Sequence, residues 1–400
     1  MKTVTLDGQV LGALRERGPS AREDVASFSG LPLSTVRRVI RHLAAEGLVT
    51  RDGYEESTGG RPRERIRINP DAGYAIGVHL ARLGMRAALV NLAGKPLAEK
   101  SIAETNLARV RDTIDILCRT IESMGQVRAP GAMCGIGIGV SGVIRPGGRV
   151  SREFPQAERW DNVPLADEVE KRCGIRPLLL NDVHAAALGE ARFGGWSNVR
   201  NLVFLHLGDG IAAGIIADGA LYQGATLNAG EVGHLIVTDN GPVCYCGNSG
   251  CLETVAAPRA LVEACQEAAA RGVRTLALEA AGSASRITFD HIVAAAAAGD
   301  RLAVNLLAEA GRHLGRVAGD LVNFFDPEVL ILGGLLARHR GPLVETLVRT
   351  ARSRALPMLR DATLIEPSHL KESAAVLGAT ALVFDRALDN PDRFLVGRSR

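Results

Sequence analysis

The chain has 400 residues, of which 46% are hydrophobic and 23% charged, with a formal net charge of +3. That length and apolar share suffice for two or three domains with buried cores. Met1-Lys2-Thr3-Val4 opens directly into a polar helical pattern, no apolar leader core follows, and no run approaches ~18 apolar residues, so a soluble, cytoplasmic protein that avoids membranes is expected. Seven cysteines, an odd number, fit a reducing compartment better than a disulfide framework. Cys118, Cys134, Cys173 and Cys265 fall in apolar or helical patterns and read as inert core residues.

The charge is unevenly distributed. Residues 1–70 hold twelve Lys/Arg and nine Asp/Glu, and the remaining residues hold thirty-five of each, so the whole excess lies in the first seventy. This asymmetry points to an acidic partner for that segment. Leu6, Val10, Leu11 and Leu14 recur at helical spacing up to Gly18-Pro19. Ser20-Ala-Arg-Glu23 has the spacing of a capping box and predicts a second helix ending near Gly30. Pro32 opens a third helix, with Val36, Val39, Ile40 and Leu43 on one face and Ser34, Thr35, Arg37, Arg38, Arg41 and His42 on the other. Strands at Leu48–Arg51 and Arg65–Ile68 follow, joined by a polar loop.

Three helices and a two-stranded wing predict a winged helix-turn-helix over 1–70, a module for double-stranded DNA. Its third helix would enter the major groove. At the wing tip, Gly59-Gly60-Arg61-Pro62-Arg63 offers Arg61 and Arg63 to the minor groove. A small helical domain with a solvated basic face is the plainer alternative. Arg37, Arg38 and Arg41 can anchor phosphates or read bases, and the sequence does not separate the two.

Beyond residue 70, hairpins at Tyr74–Leu80 with Met85–Leu92 and at Asn201–Leu207 with Ile211–Ala217 are each followed by helices and short strands such as Gly135–Val140, Leu178–Leu180 and Val329–Leu332. Two copies of one unit predict two similar α/β lobes, about 71–190 and 191–385, with a ligand cleft between them. Within eighteen residues of the second, His234, Cys244, Cys246 and Cys251 supply one imidazole and three thiols, a set suited to closed tetrahedral zinc. Such a site commonly does no more than hold a fold together. Here Glu231 and Glu253 flank the ligands, and paired carboxylates on a clipped loop suit a ligand with many hydroxyl donors.

Asn181-Asp182-Val-His-Ala-Ala-Ala-Leu-Gly-Glu190, Glu231-Val-Gly-His234, the C-x-C-G-x-x-G-C-x-E run and Leu330-Ile-Leu-Gly-Gly334 resemble the ROK family of repressors, open reading frames and sugar kinases. The resemblance spans about residues 72–388, and the winged helix matches the family's repressor branch. It implies an actin-like, ribonuclease-H-like α/β fold over 71–400. It also implies a sugar site at Asn181, Asp182, Glu231, His234 and Glu253. Asp182 matches the kinases' catalytic base; as a plain N-cap it would contribute only ~1 kcal/mol. His234 would use one ring nitrogen for zinc and offer the other to the sugar.

The family's ATP-using members carry an Asp-Ile-Gly-Gly-Thr-Lys-like turn where this chain has His79, Leu80, Ala81, Arg82, Leu83 and Gly84. The acidic residue and both glycines that admit phosphate are gone. In the second phosphate turn, Gly208-Asp209-Gly210, Asp209 replaces the usual threonine and would repel phosphate. The expectation is a sugar-responsive repressor, acting as a homodimer or tetramer and not as an enzyme. The rivals are a sugar kinase with a fused DNA-binding domain and a regulator controlled by a protein partner.

Overall fold

The computed structural model describes residues 4–55, 62–81, 84–103, 109–153, 160–196, 198–339 and 341–391. The chain divides into two compact units. One comprises Met1–Asn198, Gln223–Asn228 and Ser373–Arg400; the other comprises Val199–Tyr222 and Ala229–Glu372. Among the described residues no single helix is long and apolar enough to cross a membrane.

The first unit begins with the helix Leu6–Arg17, capped by Thr5, whose side chain accepts from Gly8 N at 3.0 Å. Helices Arg22–Ser29 and Leu33–Ala45 follow, the latter burying Val36, Val39, Ile40 and Leu43. This is the expected i, i+3, i+4, i+7 stripe, and it packs on Val10, Leu11 and Leu14. The wing strands Val49–Tyr54 and Glu64–Ile68 pair antiparallel, Val49 opposite Ile68. The expected capping box does not form. Ser20–Ala21 is instead a third, short strand on the wing, with Ser20 opposite Ile66. The Ser20 hydroxyl donates back to Gly18 O, and the helix starts at Arg22 with no side-chain cap. Strand pairing fixes Ser20 in an extended, outward position, and the wing strand replaces the cap.

The rest of this unit is built on a five-stranded sheet. Its spatial order is Leu178–Asn181, Ala132–Val140, Gly73–Ala81, Gly84–Asn91, Pro96–Ala103. The first three run parallel, and the last two are added antiparallel. The second unit repeats the plan. Leu202–Leu207, Ile211–Ala217 and Ala220–Tyr222 form an antiparallel meander, and Val329–Gly333 and Leu364–Pro367 extend it in parallel beside Leu202–Leu207. In both, the central strand is the first in the chain. Val329–Gly333 is buried throughout, as a parallel strand covered on both faces should be.

The final helix, Ala374–Asp389, corrects the expected lobe boundary near 385. It belongs to the first unit, where it packs on Asp182–Phe193 and on the sheet. The two helices cross at Gly189 and Gly378 with backbone against backbone: a Cβ at Gly378 would overlap the Ala185 carbonyl. Phe193 and Phe384 meet edge to face near the other end.

Candidate functional site

In the second unit, the 3-10 turn Val232–His234 and the short helix Leu252–Ala256 are tied together by Leu252 N donating to Leu235 O at 2.8 Å. The loop between them turns at Gly247 (φ 95°) and Gly250 (φ 75°), where side-chain residues would be strained. It brings His234, Cys244, Cys246 and Cys251 together, one ligand atom from each lying within 4.8 Å of the others. Cys246 Sγ and Cys251 Sγ are 3.7 Å apart, and Cys244 Sγ is 3.5 Å from His234 Nδ1. A tetrahedron with Zn–S of ~2.3 Å and Zn–N of ~2.0 Å demands separations of about 3.8 and 3.5 Å. The donor set therefore fits a closed tetrahedral metal site. Burial pushes the Cys251 thiol up to about 12, whereas the backbone N–H of Asn248 holds Cys246 below its ordinary value.

The same loop positions the carboxylates. Glu231 is exposed beside the 3-10 turn, and half-buried Glu253 accepts from Ile211 N at 3.3 Å. His234 Nε2, expected to be open, lies 3.0 Å from the Tyr245 hydroxyl. Tyr245 is 78% exposed, so this contact lies at the surface. Nothing in the sequence pattern singled out Tyr245.

In the first unit, Asn181 ends a strand and caps the helix Asp182–Phe193, accepting from Val183 N at 2.9 Å and His184 N at 3.1 Å. Its amide donates to Gly142 O at 3.0 Å. The cap is thus Asn181, although Asp182 Oδ1 also accepts from Val183 N at 3.0 Å. Asp182 Oδ2 accepts from the Ser141 hydroxyl and faces His79 Nε2 at 3.4 Å. Ser141 was absent from the expected site. His79 was noted only for replacing the kinases' acid, and its contact with Asp182 lies 103 positions away in sequence.

Around the expected phosphate turns, the strands Gly73–Ala81 and Gly84–Asn91 pair as far as Ala81 opposite Gly84. Arg82 and Leu83 lie outside the described residues. In the second unit, Gly208 N donates to Gly210 O around Asp209. The Phe204 ring fills the space beside Gly333, so this glycine is explained by packing.

On the third helix, Ser34, Arg37, Arg38, Arg41 and His42 are exposed and Thr35 is half-buried. Arg37 pairs with Glu23 at 3.3 Å and His42 with Asp7 at 3.5 Å. Among the described residues, Arg38 and Arg41 have no acidic partner within ion-pair distance. Gly59, Gly60 and Arg61 lie outside the described residues. Arg63 is held between Glu55 at 2.6 Å and Asp24 at 3.0 Å, and these hydrogen bonds raise its pKa above the ordinary value.

Comparison with known proteins matches residues 75–386 to the ROK family and residues 8–53 to the IclR helix-turn-helix domain. The chain belongs to the ROK family. It is 32% identical to the xylose repressor of Caldicellulosiruptor bescii over 96% of each chain. It is 33% identical to the glucokinase of Thermotoga maritima, covering 78% of this chain and 97% of the kinase. Among solved structures, a ROK family transcriptional regulator described as a homologue of the Escherichia coli Mlc protein superposes with a TM-score of 0.80 and 28% identity, covering 98% of this chain and 97% of that one. The Streptomyces griseus ROK glucokinase in complex with glucose and AMPPNP gives 0.68 and 29%, covering 78% of this chain and 99% of that one. The fold is accordingly mixed α/β, a helix-turn-helix domain followed by the sugar-kinase-like, actin-like fold of the family.

Proposed function

We propose that this protein is a sugar-responsive, DNA-binding transcriptional repressor that has lost phosphoryl transfer. The observation that carries this is the pairing of a helix-turn-helix match over residues 8–53 with full-length likeness to repressors, whereas kinase likeness stops at 78% of the chain. Residues 1–70 serve as the DNA-binding domain, with Ser34, Thr35, Arg37, Arg38, Arg41, His42, Arg61 and Arg63 facing the operator. Residues 71–400 serve as the effector domain, binding a monosaccharide or derivative through Asn181, Asp182, Glu231, His234 and Glu253. Zinc on His234, Cys244, Cys246 and Cys251 supplies rigidity to the loop that carries the last three. A homodimer presents two recognition helices to paired half-sites, and sugar binding changes their spacing. A ligand with equal affinity for both arrangements would change nothing, however tightly it bound. The protein works in the cytoplasm.

The kinase reading is favoured by the 33% identity to a glucokinase. Against it stand Ala81 and Arg82 in place of phosphate-admitting glycines and Asp209 in a phosphate turn. The test is fluorescence anisotropy of the zinc-loaded protein on DNA from its own upstream region, titrated with D-xylose, D-glucose and N-acetylglucosamine. The relatives named xylose repressor and N-acetylglucosamine repressor motivate two of these probes. Operator release by one sugar, with no ATP-dependent phosphorylation of it, is the expected result. Sugar phosphorylation at rates typical of kinases (~1–100 s⁻¹) would replace the repressor reading with the kinase one.

A further inference from the structure

The helix that begins at Asn181-Asp182 runs twelve residues to Phe193. Its last turn carries Arg192. Arg192 Nη2 lies 3.2 Å from Asp385 Oδ2, and its Nε lies 3.4 Å from Oδ1. Arg15, in the last turn of the first helix of the DNA-binding domain, meets the same Oδ1 of the Asp385 carboxylate, with Nη1 3.1 Å away. The three side chains are only 17%, 22% and 12% exposed for Arg15, Asp385 and Arg192. One carboxylate on the C-terminal helix therefore joins the helix carrying two proposed effector contacts to the helix supporting the DNA-binding domain.

The surroundings make this joint stiff. The helices Asp182–Phe193 and Ala374–Asp389 touch backbone to backbone at Gly189 and Gly378, so neither slides without the other. At the far end, Leu388 is buried in the same apolar cluster as Val10, Leu11 and Leu14. Gly8 packs on the Asp389 carbonyl, and the Thr5 hydroxyl reaches that oxygen at 3.5 Å. One group in this arrangement is imperfectly satisfied. Arg15 Nε and Nη1 are buried without a directed hydrogen bond, although Nη1 is in charge contact with Asp385. A buried guanidinium in that state gains hydrogen bonds from a small relative shift of the two helices, which is what an element with two arrangements requires.

We propose that Asp385 is the positioning residue through which effector binding at Asn181-Asp182 and operator binding at the winged helix are coupled, by sharing its carboxylate between Arg192 and Arg15. This rests on the repressor reading given above and specifies how that regulation is transmitted. Coupling is reciprocal, so operator binding must be felt along Asp182–Phe193 even with no sugar present.

That reciprocity supplies a test independent of the effector. Amide hydrogen exchange of the full chain is measured with and without operator DNA, in the parent and in Asp385→Asn. In the parent, operator is expected to slow exchange in Leu6–Arg17 and also in Asp182–Phe193. In Asp385→Asn the second effect disappears while operator affinity stays within about threefold of the parent. Arg15→Gln, which leaves the Arg192–Asp385 pair intact, should reproduce the loss and guards against a folding defect in the first variant. Operator protection confined to residues before 70 in the parent, or retained at Asp182–Phe193 in both variants, overturns the proposal. The sugar arm separates the two readings. If D-xylose, D-glucose and N-acetylglucosamine all leave the parent on its operator, the sugar-response reading fails while the exchange result still decides the coupling.

Discussion

The crossing of Asp182–Phe193 with Ala374–Asp389 is the packing feature whose strength can be worked out most directly. In Gly378→Ala the new Cβ would stand 2.8 Å from Gly189 N and would overlap the Ala185 carbonyl oxygen outright. Comfortable non-bonded separations are ~3.5 Å, so the first contact alone is short by ~0.7 Å. Every crowded atom is backbone, and no rotamer change relieves the clash; the helices must separate. Overpacking of a buried contact costs ~1–3 kcal/mol, and a backbone clash belongs at the upper end. The better helix propensity of alanine returns ~1 kcal/mol at most. The net expectation is a loss of ~2–3 kcal/mol. With a urea slope of ~2 kcal/mol/M, the midpoint falls by ~1–1.5 M.

Tryptophan fluorescence reports the right unit, since Trp160 and Trp196 both belong to it. Gly125→Ala, at the end of the helix Val110–Gly125, is the control: nothing lies within 4 Å of its added Cβ. It should be neutral or gain ~0.5–1 kcal/mol. A Gly378→Ala midpoint within about 0.3 M of the parent would show that the two backbones do not touch, and would also remove the stiffness on which coupling through Asp385 depends.

Three further outcomes are expected. Asp182→Asn should weaken binding of the releasing sugar at least ~10-fold by calorimetry with operator affinity unchanged, because hydrogen bonds to a charged carboxylate contribute ~1.5–3 kcal/mol; equal affinity would remove Asp182 from the effector site. Arg38→Ala and Arg41→Ala should each weaken operator binding and lower the slope of log K against log salt by about 1 if they contact phosphates. An altered base preference with an unchanged slope would make them base readers. Cys251→Ser, at a fully buried thiol, should purify without the stoichiometric zinc expected of the parent and melt at least ~5 °C lower. Zinc retained at the parent level would count against the four-ligand site.

What could be read from the sequence was local or periodic. The apolar stripe Val36, Val39, Ile40 and Leu43 predicts its helix because spacing alone decides which face is buried. The convergence of His234, Cys244, Cys246 and Cys251, within eighteen residues of one another, is legible because short loops limit where their side chains can go. Ser20 misled, since its strand partner Ile66 is distant in sequence and pairing there outweighs a local capping pattern. The C-terminal helix was assigned to the wrong lobe for the same reason: Gly378 packs on Gly189, and chain proximity says nothing of it. The Asp385 ion pairs reach to positions 15 and 192, and no periodicity links such separations. Site residues fared likewise. Asn181 and Asp182 stand in a motif, but Ser141 and His79 reach Asp182 only through strand order, Ser141 from the end of the strand beside Leu178–Asn181 and His79 from the strand one further along.

His79 bears most directly on the difference between a sugar sensor and a sugar kinase. Its Nε2 faces Asp182 Oδ2 at 3.4 Å, with both side chains under 20% exposed. In the family's ATP-using members an acid stands at the matching position, where it helps organise the metal–phosphate site and the metal cation offsets its charge. In this chain the glycines of that turn are replaced, so His79→Asp, though its side chain is shorter, would set a second carboxylate close to the first with no compensating cation. Two unit charges ~5 Å apart repel by ~3 kcal/mol at an effective dielectric of ~20. Solvent access reduces that figure, and a tenfold or greater loss of sugar affinity near neutral pH remains the expectation. His79→Gln keeps a side-chain donor without the possibility of charge and should bind within about threefold of the parent, as expected for one long hydrogen bond. Calorimetry with the releasing sugar separates these cases, and an assay with ATP and Mg²⁺ should detect no turnover in either variant. Parent-like affinity in His79→Asp would mean that position 79 does not address Asp182. Phosphorylation by that variant would mean instead that the phosphate site has survived the loss of its glycines.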